Sequence, residues 1–223
     1  MGFAAHYIKQ QITMETLNKK IKNETELLEM FTNPDGFRAF TYVPFLHPIY
    51  NEVWATEGHV IIRISPDRLS EHYEPAKGCE ELKIPKVLRP CHLSCTYKAI
   101  RQALDECPLV DEVVTKEHEE ECKECGGDGV IRREKEIRTG KKVHDKNAIV
   151  KIGNSFFRWY YLDIVANAFA HIGADVISIT ENNPFGMTEF VFDGIKIGLM
   201  RFYSSEGKGY NAEVELKENG DKV

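Results

Sequence analysis

Residues 50–64 read YNEVWATEGHVIIRI, and the fold turns on how they are read. Val53 to Thr56 form one β-prone run, and Val60, Ile61, Ile62 and Ile64 form another. Glu57-Gly58 stands between them as a hairpin-type turn. A lone hairpin is marginal in water, so it predicts further strands or helices to cover its apolar face. Upstream, residues 37–45 (FRAFTYVPF) are aromatic and β-rich, and Asn33-Pro34-Asp35-Gly36 is a turn. That turn ends a helix predicted over 14–31, where Leu17, Ile21, Leu27, Leu28 and Phe31 make a partial apolar stripe.

Downstream, Pro66, Pro75, Pro85 and Pro90 break residues 65–90 into short pieces. Residues 96–106 predict a short helix with Thr96 as its cap, ended by Cys107-Pro108. Residues 109–148 are charged and glycine-containing, and read as an excursion from a core. Apolar density returns with a short strand at Ile149, Val150 and Ile152. Asn154 or Ser155 then caps a helix near 155–171 that Gly173 stops. Tyr161, Leu162, Val165, Ala168 and Phe169 share one face of it. Strands are predicted at 175–180, 189–193 and 195–203, with one more at 211–216. Asn182-Asn183-Pro184 and Asp193-Gly194 supply turns, the Asp-Gly being the stronger hairpin signal. The order of elements predicts an α+β class, helices packed on antiparallel sheet.

Composition narrows the function classes. Of 223 residues, 42% are hydrophobic and 29% charged, which excludes wholesale disorder. No apolar run approaches a membrane span. The opening Met1-Gly2-Phe3-Ala4-Ala5-His6 lacks a signal peptide, so the expected location is cytoplasmic. The net charge of −6 is unevenly spread: residues 105–128 hold ten acids against Lys116 and Lys123 and carry −8, which leaves +2 elsewhere. The acidic run reads as a solvated loop or helix face, and a local basic surface remains compatible with the total. Lys19, Lys20 and Lys22 form the densest basic cluster outside that run. Glu15, Glu24, Glu26 and Glu29 on the same predicted helix also fit an ordinary solvated face.

Cysteines stand at 79, 91, 95, 107, 122 and 125, and without an export signal they read as metal ligands or plain thiols. Cys122-Lys123-Glu124-Cys125-Gly126-Gly127-Asp128-Gly129 places two thiolates three residues apart beside glycines that permit a tight turn, which suits one Zn²⁺. A tetrahedral site needs two more ligands; His118 is the nearest candidate, with Cys107, His144 and the Cys91–Cys95 pair behind it. His59, beside the Glu57-Gly58 turn, reads as a packing residue. Cys91-His92 are adjacent and lack a glycine-framed nucleophile turn. With no phosphate-binding, dinucleotide or zincin motif, the sequence argues against an enzyme. Phe156, Phe157, Trp159, Tyr160 and Tyr161 read as core plus interface rather than a base-stacking platform.

Two patches resemble a family. Val53-Trp54-Ala55-Thr56-Glu57-Gly58-His59 is similar to the ATDGH segment of bacterial DNA sliding clamps, the processivity subunits of the replicative polymerase. Asn154-Ser155 with Tyr161-Leu162, then Asn182, Pro184 and a strand ending Gly198-Leu199-Met200, resembles the clamp's later element. Arg201 stands where the family carries proline. The CxxCxGxG unit resembles those of J-domain co-chaperones and inserts in phage-type clamp-like proteins. The resemblance implies a single clamp-like domain, its first half at 1–70 and its second at 149–223, opened by a charged insert at 71–148. It implies a non-enzymatic scaffold in DNA replication, Lys19, Lys20 and Lys22 facing duplex phosphates without reading bases, a replication protein as partner, and a homo-oligomer. It leaves as alternative a zinc-loop protein-interaction module, with Cys122, Cys125 and His118 as ligands, on a platform that binds no DNA.

Overall fold

The computed structural model describes residues 20–83, 93–121, 130–181, 186–202 and 209–218. In chain order the elements are α1 (Glu24–Glu29), β1 (Phe45–His47), β2 (Glu52–Thr56), β3 (Val60–Ile64), β4 (Leu93–Thr96), α2 (Tyr97–Asp105), β5 (Leu109–Glu121), β6 (Val130–His144), β7 (Ile149–Ile152), β8 (Ser155–Arg158), α3 (Trp159–His171), β9 (Val176–Glu181), β10 (Met187–Phe192), β11 (Ile195–Met200), β12 (Ala212–Val214) and β13 (Lys217–Glu218). Among these residues the chain is mostly sheet with few helices, and no helix is long and apolar enough to cross a membrane.

One eight-stranded sheet runs β1-β2-β3-β11-β10-β9-β4-β13, and every neighbouring pair in it is antiparallel. The 50–64 hairpin forms as read, with Thr56 opposite Ile61. Its second strand pairs with β11, Val60 opposite Leu199, so the two ends of the sequence share one sheet. Asp193-Gly194 makes the β10–β11 turn with φ of 47° and 76°, the left-handed pair that a two-residue hairpin needs. A three-stranded sheet, β12-β7-β8, is hydrogen-bonded separately, and its Val150, Ile152, Phe157, Ala212 and Val214 enter the same core.

The core lies on one face of the large sheet, under α2 and α3. Leu162, Val165 and Phe169 are fully buried there, as the 3.6-residue spacing predicts. Ile100, Ala103 and Leu104 make the matching face of α2, and the Thr96 hydroxyl accepts the Ala99 N–H as cap. Arg101 reaches across from α2 to Asp163 and Asn167 and ties the two helices on their outer side. The other face of the sheet carries a second cluster, Phe40, Phe45, Trp54 and Cys79. Beside it Arg63 bonds Glu189 and Glu52, and Lys196 bonds Glu52 at 2.8 Å.

Four expectations change. The helix expected from 155 starts at Trp159, because Ser155 to Arg158 pair antiparallel with β7 around a Gly153 turn at φ +56°. Asn154 therefore belongs to a hairpin, and Arg158 is the residue that precedes the helix. In 37–45, local turn bonds such as Thr41 N–H to the Arg38 carbonyl (2.9 Å) hold a short 3₁₀ turn at Ala39–Thr41, and only β1 is extended. The described part of the 14–31 helix is one short piece, Glu24–Glu29, which Lys20 and Lys22 precede. Finally, β4 and α2 fall inside the 71–148 span yet belong to the main sheet and core.

What leaves the body is narrower: β5 and β6 pair only with each other, as a long antiparallel ribbon. Its ends meet where the Asp145 N–H donates to the Pro108 carbonyl at 2.9 Å. His144 anchors the base by stacking on Trp159 and by donating from Nδ1 to the Cys107 carbonyl. A bulge sets Thr139, Gly140 and Lys141 against Glu112, with Gly140 at φ +79°.

Candidate partner-binding cleft

A cleft of about 680 Å³ opens on the outer face of the large sheet, between the 33–41 loop and the β2–β3 turn. The turn is built by its own side chains. The Thr56 hydroxyl donates to the Val60 carbonyl (2.8 Å) and accepts the Gly58 N–H (3.0 Å). The Glu57 carboxylate accepts the N–H groups of His59 and Val60. Gly58 sits at φ +112°, where a side chain would be strained. Thr56-Glu57-Gly58 is thus a self-capped corner that fixes where His59 points.

His59 stacks on Tyr161 of α3, ring centres 4.8 Å apart and planes within 19°. Its carbonyl accepts the Met200 N–H at 2.9 Å. The two sequence patches, 53–59 and the Tyr161-to-Met200 stretch, therefore meet at one point. Burial, then the Glu57 charge, raises the Tyr161 pKa, so its phenol stays protonated and able to donate. Arg201 extends the contact: its N–H donates to the Gly186 carbonyl and its Nε to Thr188 Oγ1. A proline there would lack that N–H.

Trp54, Ile61, Met187 and Met200 supply apolar surface to the cleft, and Arg38, Lys83 and Glu57 supply charge. Phe37 stands fully exposed at the rim, and the Arg38 guanidinium lies 5.7 Å over the Phe40 ring. A second hollow of about 210 Å³, lined by Arg158, Arg201 and Phe202, shares His59, Tyr161 and Met200 with the first. Such a surface suits an extended segment with apolar anchors and a few polar contacts. Sequence reading missed Met187, Leu82 and the 33–41 loop as cleft residues, because no local signal marks where separate segments meet, and Met187 lies more than a hundred positions from the β2–β3 turn.

The other candidates fall elsewhere. The Lys20 ammonium donates to the Leu69 carbonyl, and the Lys22 carbonyl accepts from His171 Nε2 at 3.1 Å. Lys19, Cys122 and Cys125 lie outside the described residues, as do Cys91-His92 and Asn182-Asn183-Pro184. His118 stands in β5 opposite Arg133. Among the described residues no group of three His, Cys, Asp or Glu side chains is placed to hold a metal. Cys79, Cys95 and Cys107 are buried free thiols. Burial pushes Cys95 up to about 12 and Cys107 up to about 11, so both stay protonated at neutral pH and are poor nucleophiles. Of the aromatic run, Phe157 is buried, Trp159 donates from Nε1 to the Leu104 carbonyl, and Tyr160 is exposed.

No family model matches the chain, and no curated protein matches it. Among solved structures it is similar to the Helicobacter pylori beta clamp bound to a DNA ligase peptide, at 10% identity and a TM-score of 0.41, over 83% of this chain and 64% of that one. It is also similar to the C. crescentus beta sliding clamp, at 13% identity and a TM-score of 0.30, over 87% of this chain and 64% of that one. The chain thus spans less than two thirds of either clamp's length.

Proposed function

We propose that this protein is a non-enzymatic, sliding-clamp-like scaffold of DNA replication, which assembles with copies of itself on duplex DNA and docks a segment of a replication protein in the cleft. The observation that supports the reading is the meeting of the two clamp-resembling patches at His59, Tyr161 and Met200, beside an apolar cleft with a charged rim. Lys19, Lys20 and Lys22 are the proposed phosphate contacts. They would give weak, sequence-independent binding, each lost contact flattening the log K against log salt slope by roughly 0.9. The test is topological. Protein assembled with nicked circular duplex is washed at raised salt, and the DNA is then linearised. Retention on the circle and release from the ends supports a closed assembly around DNA. Equal behaviour on circle and line, or no retention, overturns it.

A second reading, the zinc-loop interaction module, has its own support. The CxxC unit follows Glu121 directly and ends before Val130, so it joins the two strands of a ribbon that has no core of its own. A metal staple suits such an element. Two thiolates fit half of a structural zinc site, and His118 is the proposed third ligand. Elemental analysis of protein purified without chelator should give about one zinc per chain, lost in a Cys122→Ser, Cys125→Ser variant. Less than about a tenth of that stoichiometry retires the reading.

A further inference from the structure

The β5–β6 register sets like charges opposite each other in two adjacent rungs. Val114 stands opposite Ile137 and Lys116 opposite Lys135, and alternation puts these four side chains on one side of the ribbon. Thr115 opposite Glu136 and Glu117 opposite Glu134 fall on the other. All eight are exposed. Like charges directly opposite each other destabilise a strand pair. Here that occurs twice in adjacent rungs, once per face and with opposite sign. No ion pair reaches Lys116, Lys135, Glu117 or Glu134 among the described residues. The register that creates both pairs is pinned nearer the base by the Lys142–Asp111 pair at 2.7 Å and by the bulge at Gly140.

We infer that the ribbon is a self-association surface, on which the lysine face of one copy packs against the carboxylate face of the next. Each face then neutralises the like-charge pair of the other, and Val114 and Ile137, each 38% exposed, gain cover. A polyanion fits less well. The two strands hold eight acids and seven bases, a net of −1, and the carboxylate face lies behind the lysines within a Debye length of roughly 8–10 Å. The complementary surface that is present is the ribbon's own reverse side. The contact is heterologous, because lysine face on carboxylate face leaves one of each free, so assembly closes into a ring or continues as a filament. This inference does not depend on the clamp reading, since it uses neither the cleft nor DNA.

The test is a charge swap in the full chain, read by sedimentation without DNA. Wild type should associate at low salt and dissociate as salt rises. The K116E/K135E variant presents two acidic faces, and E117K/E134K presents two basic ones. Each alone should weaken self-association on the order of tenfold or more. Mixed, the two variants are complementary again, and association should return to within about threefold of wild type. Recovery on mixing cannot come from misfolding of either variant. Wild type that stays monomeric at low salt overturns the proposal. So does a single variant that associates as wild type does, a mixture that fails to recover, or a monomer whose lysine face captures duplex DNA instead.

Discussion

The eight-stranded sheet and the β5–β6 ribbon are both antiparallel and are held by the same backbone bonds, yet they are stabilised in opposite ways. The sheet buries one face under α2 and α3, where Leu162, Val165, Phe169 and Phe190 are fully enclosed. The ribbon keeps Val113, Val114 and Ile137 exposed and is held by its backbone ladder, with the Lys142–Asp111 pair near its root. Acidic β5 lies against β6, which carries Arg132, Arg133, Lys135, Arg138, Lys141 and Lys142. The run that looks strongly acidic when read along the chain is thus largely balanced across the hairpin. Charge patterning has to be judged after pairing.

If the comparison is right, the largest losses belong to the body. Arg63 and Glu189 are nearly buried on the outer face of the sheet, so Arg63→Ala strands a carboxylate. A loss of about 3–5 kcal/mol is expected in denaturant unfolding, largely recovered by the Arg63→Leu, Glu189→Leu double variant. Leu162→Ala should cost about 2–5 kcal/mol by the same measurement. Gly58→Ala meets no neighbouring atom, so its cost is backbone strain alone, about 1–2 kcal/mol, with the cleft rim displaced. Because Pro108 and Asp145 are hydrogen-bonded, residues 110–143 can be replaced by Asn-Gly. That excision should change the thermal midpoint by only a few degrees, equivalent to less than about 1 kcal/mol. Smallest of all, Val114→Ala should stay within about 0.5 kcal/mol in a monomer. A ribbon excision that unfolds the body, or a Val114→Ala loss equal to that of Leu162→Ala, would erase the distinction.

Much of the body was legible in the sequence. The VWATEGHVIIRI hairpin, the Asp193-Gly194 turn, the Thr96 cap and the buried stripe of α3 each carry a local signal, in alternation, turn chemistry or helical spacing. Ser155 to Arg158 misled because aromatic residues suit strand and helix alike, and the choice was made by pairing with β7. The sequence reads the ribbon as an excursion and not as strands, since neither strand alternates apolar with polar residues along its length. Half of the cleft was legible, the Thr56-to-His59 corner and Met200 having been singled out as motifs. Met187, Leu82 and the Arg38 loop were not: the β10–β11 and β11–β3 pairings bring in Met187, a bond between His47 Nε2 and the Leu82 carbonyl holds Leu82, and the Asn33 N–H to the Thr41 carbonyl closes the loop.

The bulge at Gly140 has a mechanical consequence. From Val113 outward β5 runs nine residues to Glu121, about 30 Å at the usual strand rise. The ribbon is then a lever with its pivot near its root. A rotation of about 10° at the bulge would sweep the far end through about 5 Å, while the base stays clamped by His144 on Trp159 and by the Asp145–Pro108 bond. Whatever grips the ribbon's flanks sets where its far end points.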